Sequence, residues 1–399
     1  VSVPVELTRR TRPLKLAPAP SPTRRDRWKN KARLARFLAL SKVKQHAVPS
    51  LHVRPIVAEL FLTDNCNLTC VSCACWRTTT RGELTTAEWV DVVDQLAGLG
   101  FVKLNFTGGE ALTRRDAARV ISAAARRGIF DLHLNTNGVL LDEDRLNEVV
   151  AAGIRSFNLS LDGSSAAVHD AVRGRSGAFN LTVDAVSRIV ARRERDNLDV
   201  QVNFTVLADN VDDLVSIAQL TQRLGVRLYL NLGTDTTFLF RHADVSGRIA
   251  VDEGRLRDGL AWLTTASLAA PGLLPPPSAL SYIPSHFGFE KAPPTPCVES
   301  QLKLMVHSTG GVGGCWGHDP TFNVRDRSIA SIIDSDHYRE EHVRFFRKDC
   351  VRCGSNYALN ERTRVAAQVG DVGRRAAWSL QQAVDRTSRR GTSDNWAER

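Results

Sequence analysis

Cys66, Cys70 and Cys73 fall in a C-x3-C-x2-C pattern. Thiolates are soft ligands, and three so close in sequence can wrap one metal centre. Three leave a fourth coordination position open, which suits an iron–sulfur cluster with one accessible iron better than a tetrahedral zinc closed by four ligands. Such an iron is a place where a ligand can bind and react. A structural zinc knuckle, or thiols buried for packing alone, is the alternative that spacing leaves standing. A second set, Cys297, Cys315, Cys350 and Cys353, reads C-x17-C-x34-C-x2-C and supplies four thiolates, enough to close either a cluster or a zinc site. Cys75 belongs to neither pattern, and a small buried thiol is its ordinary reading.

The first trio follows an apolar run, Ile56 to Leu62, that reads as a buried strand. Thr85 to Gly100 then has a Thr start, an apolar stripe through Trp89, Val92, Val93 and Leu96, and a Gly stop, the marks of a helix. The rhythm repeats. Strands are expected at Phe101 to Phe106, Phe130 to Leu134, Ile154 to Leu161, Val200 to Leu207 and Val226 to Leu232. Helices are expected between them, at Arg115 to Arg127, Glu143 to Ala152, Asn180 to Arg193 and Val211 to Leu224. Such alternation implies an α/β fold with a parallel sheet and right-handed crossovers.

In such a sheet the loops after the strands gather at one end, where active sites sit. The polar stretches fall in that place: the cysteine loop, Thr107-Gly108-Gly109-Glu110, Asn135-Thr136-Asn137-Gly138, and Ser160-Leu161-Asp162-Gly163. Gly108 and Gly109 let backbone approach a ligand, and Glu110 adds an acceptor for a cationic amine. Each stretch alone is an ordinary turn. Their coincidence at one end of successive strands is what points to a site.

Lys and Arg number 53 against 43 Asp and Glu, a net +10, with much of the excess near the two ends. The N-terminal arm is basic and Pro-rich, reads as a solvated tail to about residue 25, and has a helical pattern from Lys29 to Lys44. It lacks interleaved aromatics and any nucleic-acid-reading module, so nucleic acid is not the expected partner. No run of about eighteen apolar residues predicts a membrane span, and the first residues do not resemble a secretory signal, so a cytoplasmic location is expected.

With these pieces in place the sequence resembles a radical S-adenosylmethionine enzyme. The resemblance rests on Cys66, Cys70 and Cys73, on Gly108 to Glu110, on the NTNG and SLDG turns, and on His169-Asp170 followed by Arg173-Gly174, over residues 55 to 235. It implies a partial (β/α)6 TIM-like barrel. It further implies that the three cysteines hold a [4Fe-4S] cluster whose open iron is chelated by S-adenosylmethionine. Gly108, Gly109 and Glu110 would then receive the methionine amine, Ser160 and Asp162 lie near the ribose, Arg173 pair with the carboxylate and Leu207 touch the adenine, with Asn137 a further cofactor-binding residue. The family often places an aromatic residue just before the third cysteine; here it is Ser72, and Trp76 either covers that face instead or is a plain core tryptophan.

The second cysteine set is similar to the Twitch appendage of that family, a short relative of the SPASM domain that carries one auxiliary [4Fe-4S] cluster, within a small hairpin-and-helix domain. The resulting division is an arm at 1–50, the core at 51–240, a Pro-marked irregular linker at 241–295, the auxiliary domain at 296–362 and a tail at 363–399. The resemblance implies hydrogen abstraction from a small-molecule substrate, with an external electron donor such as flavodoxin or ferredoxin. Oxidation of a carbinol in a sugar, aminocyclitol or related natural-product intermediate is the first reading, with Asn231 and Asp235 gripping or deprotonating the substrate. An epimerase with Cys75 as hydrogen donor, and a ribosomal-peptide maturase, are the alternatives.

Overall fold

The computed structural model describes residues 14, 17–20, 23–78, 80–234, 247–269, 271–291, 297, 299–315 and 318–347. A first helix, α1 (Arg24–His46), leads into the alternating core: β1 (Val57–Phe61), α2 (Thr86–Leu99), β2 (Lys103–Thr107), α3 (Ala117–Arg126), β3 (Asp131–Thr136), α4 (Glu143–Ala152) and β4 (Ser156–Ser160). It continues through α5 (Ala166–Arg173), α6 (Ala178–Ala191), the single turn α7 (Arg193–Asp196), β5 (Asp199–Val206), α8 (Leu214–Arg223) and β6 (Arg227–Leu232). Beyond lie α9 (Glu253–Ala269), the short α10 (Pro277–Leu280), α11 (Ile283–His286) and α12 (Glu299–Leu302), then β7 (Lys303–Val306), β8 (Gly311–Gly313), β9 (Phe322–Asn323), α13 (Ile329–Ile333) and α14 (Asp336–Arg347).

Local chemistry sets the helix ends. Thr85 and Glu88 close a capping box on α2, Glu88 N–H donating to Thr85 Oγ1 at 3.3 Å and Thr85 N–H to Glu88 Oε2 at 2.7 Å. The helix stops at Gly100, whose left-handed φ of 90° a side chain would resist. Asp142 caps α4 through Arg145 N–H at 3.0 Å. The stripe Trp89, Val92, Val93 and Leu96 is buried as its spacing demands.

The strands run β6-β5-β4-β3-β2-β1-β7-β8-β9, an open sheet that does not close into a barrel. β1 to β6 pair in parallel, each with the next. Their outward residues, among them Leu104, Leu134, Leu159, Val202 and Phe204, meet the helices in one continuous core.

Three expectations need correction. The segment 241–295 is not irregular throughout: α9 continues the alternation as the helix after β6 and buries Leu256, Leu260 and Leu263. The hairpin expected in a separate small domain begins with β7, which pairs in parallel with β1 inside the core sheet, so Glu59 lies beside Met305. In the N-terminal arm, α1 starts at Arg24 and packs Phe37 with Val53, Ile56, Val57, Val102 and Leu302, so it is part of the folded body. Among the described residues no helix is long and apolar enough to cross a membrane.

Candidate functional site

The cysteine loop leaves the carboxyl end of β1, and its neighbours hold it through backbone. Gly109 N–H donates to Thr63 O and Glu110 N–H to Asn65 O, both at 2.8 Å. A Cβ on Gly109 would sit 2.5 Å from Asn65 O, and one on Gly108, whose φ is 148°, 2.3 Å from Thr63 O. The glycine pair is therefore required for the β2 loop to dock on the residues just before Cys66. From the other side, Val71 N–H donates to Val172 O at 2.9 Å and Thr69 Oγ1 to Gly174 O at 2.9 Å. Gly174 takes a left-handed φ of 67°, and a Cβ there would meet Thr69 O at 2.4 Å. The loop is thus clamped between the β2 turn and the end of α5.

Two buried carboxylates brace these clamps. Glu110 accepts from Leu112 N–H at 3.1 Å and Thr136 Oγ1 at 2.9 Å through Oε1, and from Asn137 N–H at 2.7 Å through Oε2. Asn137 Nδ2 in turn donates to Asn67 Oδ1 at 2.8 Å, tying the NTNG turn to the cysteine loop. Asp162 receives Thr205 N–H at 2.7 Å and pairs with Arg173 at 2.6 Å. Arg173 extends past it to Cys70, its Nη1 lying 3.8 Å from the sulfur. Burial raises the pKa of both carboxyls, and the neighbouring donors and Arg173 oppose that shift.

Burial, with Cys70 next, raises the Cys66 thiol well above its ordinary value. Burial also pushes Cys70 up to about 11, although Arg173 pulls it down. Cys73 is lowered to about 7, first because the Cys75 side chain hydrogen-bonds to it. The Cys75 backbone N–H points to the same sulfur at 3.5 Å, so Cys75 is turned toward its neighbour in the loop. Its own thiol is held protonated by that bond and by burial.

The other expected residues lie as follows. Ser160 and Asn231 are half-exposed on the inner face of the sheet. Leu207 is fully buried, its backbone N–H donating to Asn210 Oδ1 at 2.8 Å. Trp76 stacks under Arg77 at 4.6 Å. Cys297 and Cys315 are both buried, and Cys297 N–H donates to Phe346 O at 3.0 Å. Asp235, Cys350 and Cys353 lie outside the described residues. Sequence reasoning missed Asn67, and also Asn210, whose amide donates to Asp162 O at 3.1 Å and Thr205 O at 2.9 Å. Its place between two cysteines could have flagged Asn67; nothing local flags Asn210.

The donor set fits an iron–sulfur cluster. Asn67 Nδ2, Trp76 Nε1 and Arg173 Nε are buried around the loop without a protein acceptor, as suits a site for an electron-rich, sulfide-bearing group. A four-iron cluster takes one thiolate at each of three separate irons, so the three cysteines need not converge on a single point.

Residues 60–221 match the family model of the Radical SAM superfamily. An AdoMet-dependent heme synthase of Methanosarcina barkeri is 34% identical over 170 residues, 42% of this chain and 47% of that protein. A PqqA peptide cyclase of Rhodopseudomonas palustris is 33% identical over 173 residues, 43% and 44% of the two chains. The chain thus spans about half the length of these curated relatives. Among solved structures, SuiB of Streptococcus suis bound to precursor peptide SuiA superposes with a TM-score of 0.60 at 13% identity, over 82% of this chain and 74% of that one. Native anSMEcpe with bound AdoMet and Cp18Cys peptide gives 0.56 at 14%, over 83% and 100%. At such identities the likeness is one of fold. The match and the geometry of the loop agree: residues 60–221 form a domain of the Radical SAM type.

Proposed function

We propose that the protein oxidises a carbinol carbon of a small polar substrate. When bound, a [4Fe-4S] cluster with S-adenosylmethionine on its open iron supplies a 5'-deoxyadenosyl radical that takes one hydrogen atom. Loss of the hydroxyl proton to a base would leave a ketone, and Cys297, Cys315, Cys350 and Cys353 would hold a second [4Fe-4S] cluster able to accept the surplus electron.

In this reading Cys66, Cys70 and Cys73 hold the first cluster. Arg173, steadied by Asp162, sets a positive charge beside Cys70 and orients the bound cofactor's carboxylate. Glu110 and Asn137 act by fixing the loop that Gly108 and Gly109 dock on. Ser160 borders the ribose, and Asn231 with Asp235 grips the substrate.

The observation that carries the oxidation is where β7 lies. β7, the first strand of the β7–β8 hairpin that leads to Cys315, pairs directly with β1, the strand leading to Cys66, and His307 at its end stacks on Phe61 with ring centroids 5.1 Å apart. Leu84, just past the first cysteine loop, donates to Ser308 O at 2.7 Å. Because β8 runs back along β7, Cys315 lies toward the amino end of β1 and Cys66 beyond its carboxyl end, and a continuous sheet holds the two cysteine sets at a fixed separation, as electron transfer between them would require.

Anaerobic reconstitution tests this. Iron analysis should give about eight irons per chain, falling to about four when Cys297, Cys315, Cys350 and Cys353 are replaced by Ala. With dithionite and S-adenosylmethionine the protein should release 5'-deoxyadenosine, and Cys66→Ala should release none. Zinc at the first trio would overturn the proposal.

A further inference from the structure

The inner face of the open sheet departs from barrel packing. Closed barrels fill their interior with bulky branched side chains. Here β5 and β6 alternate strictly between buried and half-exposed positions. The half-exposed side carries Gln201, Asn203 and Thr205 on β5, with Tyr229 and Asn231 on β6. Strands β3 and β4 add Asn135, Asn158 and Ser160, also half-exposed.

Register arranges these groups in rows. Asn135 lies beside Asn158, which lies beside Gln201; Ser160 lies beside Asn203, which lies beside Tyr229; Thr205 lies beside Asn231. With neighbouring strands about 4.8 Å apart, the rows form a grid of amides and hydroxyls below the loops that hold the cysteines. Asn158 Nδ2 donates to Asn135 Oδ1 at 2.8 Å and Gln201 Nε2 to Asn203 Oδ1 at 3.1 Å, while Asn158 Oδ1 is buried without a donor.

Charge on the same face is cancelled internally. Arg227 pairs with Asp199, Lys103 with Asp131 at 3.3 Å, and Lys303 with Glu59 at 2.5 Å.

We propose that this grid selects the substrate, that it takes an uncharged ligand dense in hydroxyl or amide groups, and that Asn158 is its central specificity-determining residue. The inference rests on the radical chemistry proposed above and names the substrate class for it. Carboxamides donate and accept, so they match groups that do both. An anion would have to draw a cation out of an existing pair, at the cost of leaving a carboxylate unpaired. An apolar ligand would strand the amides, the discrimination that sites built for hydrogen bonding exert most strongly.

Saturation-transfer NMR on the anaerobically reconstituted, oxidised full chain with S-adenosylmethionine tests this with three probes: myo-inositol, N-acetyl-triglycine amide and inositol 1-phosphate. One of the two neutral probes should receive saturation, and which one does so distinguishes a hydroxyl-rich from an amide-rich source; the phosphate should not. Asn158→Leu and Asn203→Leu should each weaken the response about tenfold, as loss of one buried hydrogen-bonding partner does. Asn158→Ser, which keeps a polar group there, should retain more of the response than Asn158→Leu, separating recognition from misfolding. Preference for the phosphate, no response to either neutral probe, or full response in both Leu variants would overturn the assignment. Release of 5'-deoxyadenosine by the wild type without any probe tests the radical chemistry alone, so the two failures are distinguishable.

Discussion

The carboxylate of Glu110 accepts from three protein donors, Leu112 N–H, Thr136 Oγ1 and Asn137 N–H. Its place in the GGE triplet suggests an acceptor for an amine, and its bonds also make it a pin that joins the β2 turn to the β3 turn. Glu110→Gln keeps the shape but turns one oxygen into an amide N–H that meets another donor. A buried clash of donors costs about 1–3 kcal/mol, so the variant should unfold at a lower temperature and bind S-adenosylmethionine more weakly, read by calorimetry and by cofactor titration. An unchanged melting temperature with lost cofactor binding would instead return Glu110 to the ligand's side. Gly109→Ala acts on the same junction through volume, since its Cβ would press on the backbone oxygens of Asp64 and Asn65 at 2.6 Å and 2.5 Å. Neither atom can turn aside as a side chain does. The variant should incorporate less iron on reconstitution than wild type, measured per chain, while Gly98→Ala, at a position open within 4 Å, should incorporate the wild-type amount.

At the scale of elements, α5 links the ribose-side turn to the cysteine loop through His169 and Gly174. Asp162 N–H donates to His169 Nδ1 at 3.0 Å, which requires a neutral ring. Burial, with the Arg173 charge next, lowers the imidazole pKa from its ordinary 6.5 to about 3. Because the folded value lies below the unfolded one, the unfolded chain binds the extra proton between them; this contribution is complete above the unfolded pKa and is lost as pH falls toward the folded value. The urea midpoint of wild type should therefore drop between about pH 7.5 and about pH 5.5, and His169→Gln, which keeps an acceptor but does not titrate, should drop less. Equal drops would remove His169 as the cause.

The helix itself was not legible. Its residues read as a motif, His169-Asp170 and Arg173-Gly174, rather than as about two turns of helix after Ser165. By contrast α4 falls on the residues its pattern marks, Glu143 to Ala152, because Asp142 and Gly153 punctuate it on both sides. The six parallel strands were legible from their apolar runs, and α9 was not, because the prolines that follow it drew the whole segment into a linker. At the site, residue types and spacing identified Cys66, Cys70, Cys73, Gly108 and Gly109. They did not say that Asp162 and Arg173 face each other, since that depends on how β4, β5 and α5 come together in space.

At the scale of the whole molecule, the pairing of β7 with β1 decides whether the carboxyl-terminal part is an appendage or a wall of the core. Strand pairing between residues this far apart leaves no local trace, so a separate domain from residue 296 was the natural expectation. The contacts argue for a wall. Ile56 N–H donates to Leu302 O at 3.2 Å, Lys303 Nζ reaches Glu59 at 2.5 Å, and both of those charges are almost fully buried. Farther along, Arg325 binds Glu88 at 2.6 Å and Gly82 O at 2.9 Å, and Ile329 N–H donates to Gln95 Oε1 at 2.7 Å, so the segment also clasps α2. Ending the chain at residue 296 would strip the partner from Glu59, and orphaning a buried charge costs about 3–5 kcal/mol. It would also expose the β1 edge in the middle of what had been a continuous sheet, a template for aggregation. The truncated protein should express as aggregate or melt well below the full chain, and Lys303→Met in the full chain should reproduce part of that loss while Lys303→Met with Glu59→Leu restores it. A soluble, monomeric 1–296 fragment with the circular dichroism and melting temperature of the full chain would show that the radical SAM core stands without this wall, and would make the second cysteine set an independent domain after all.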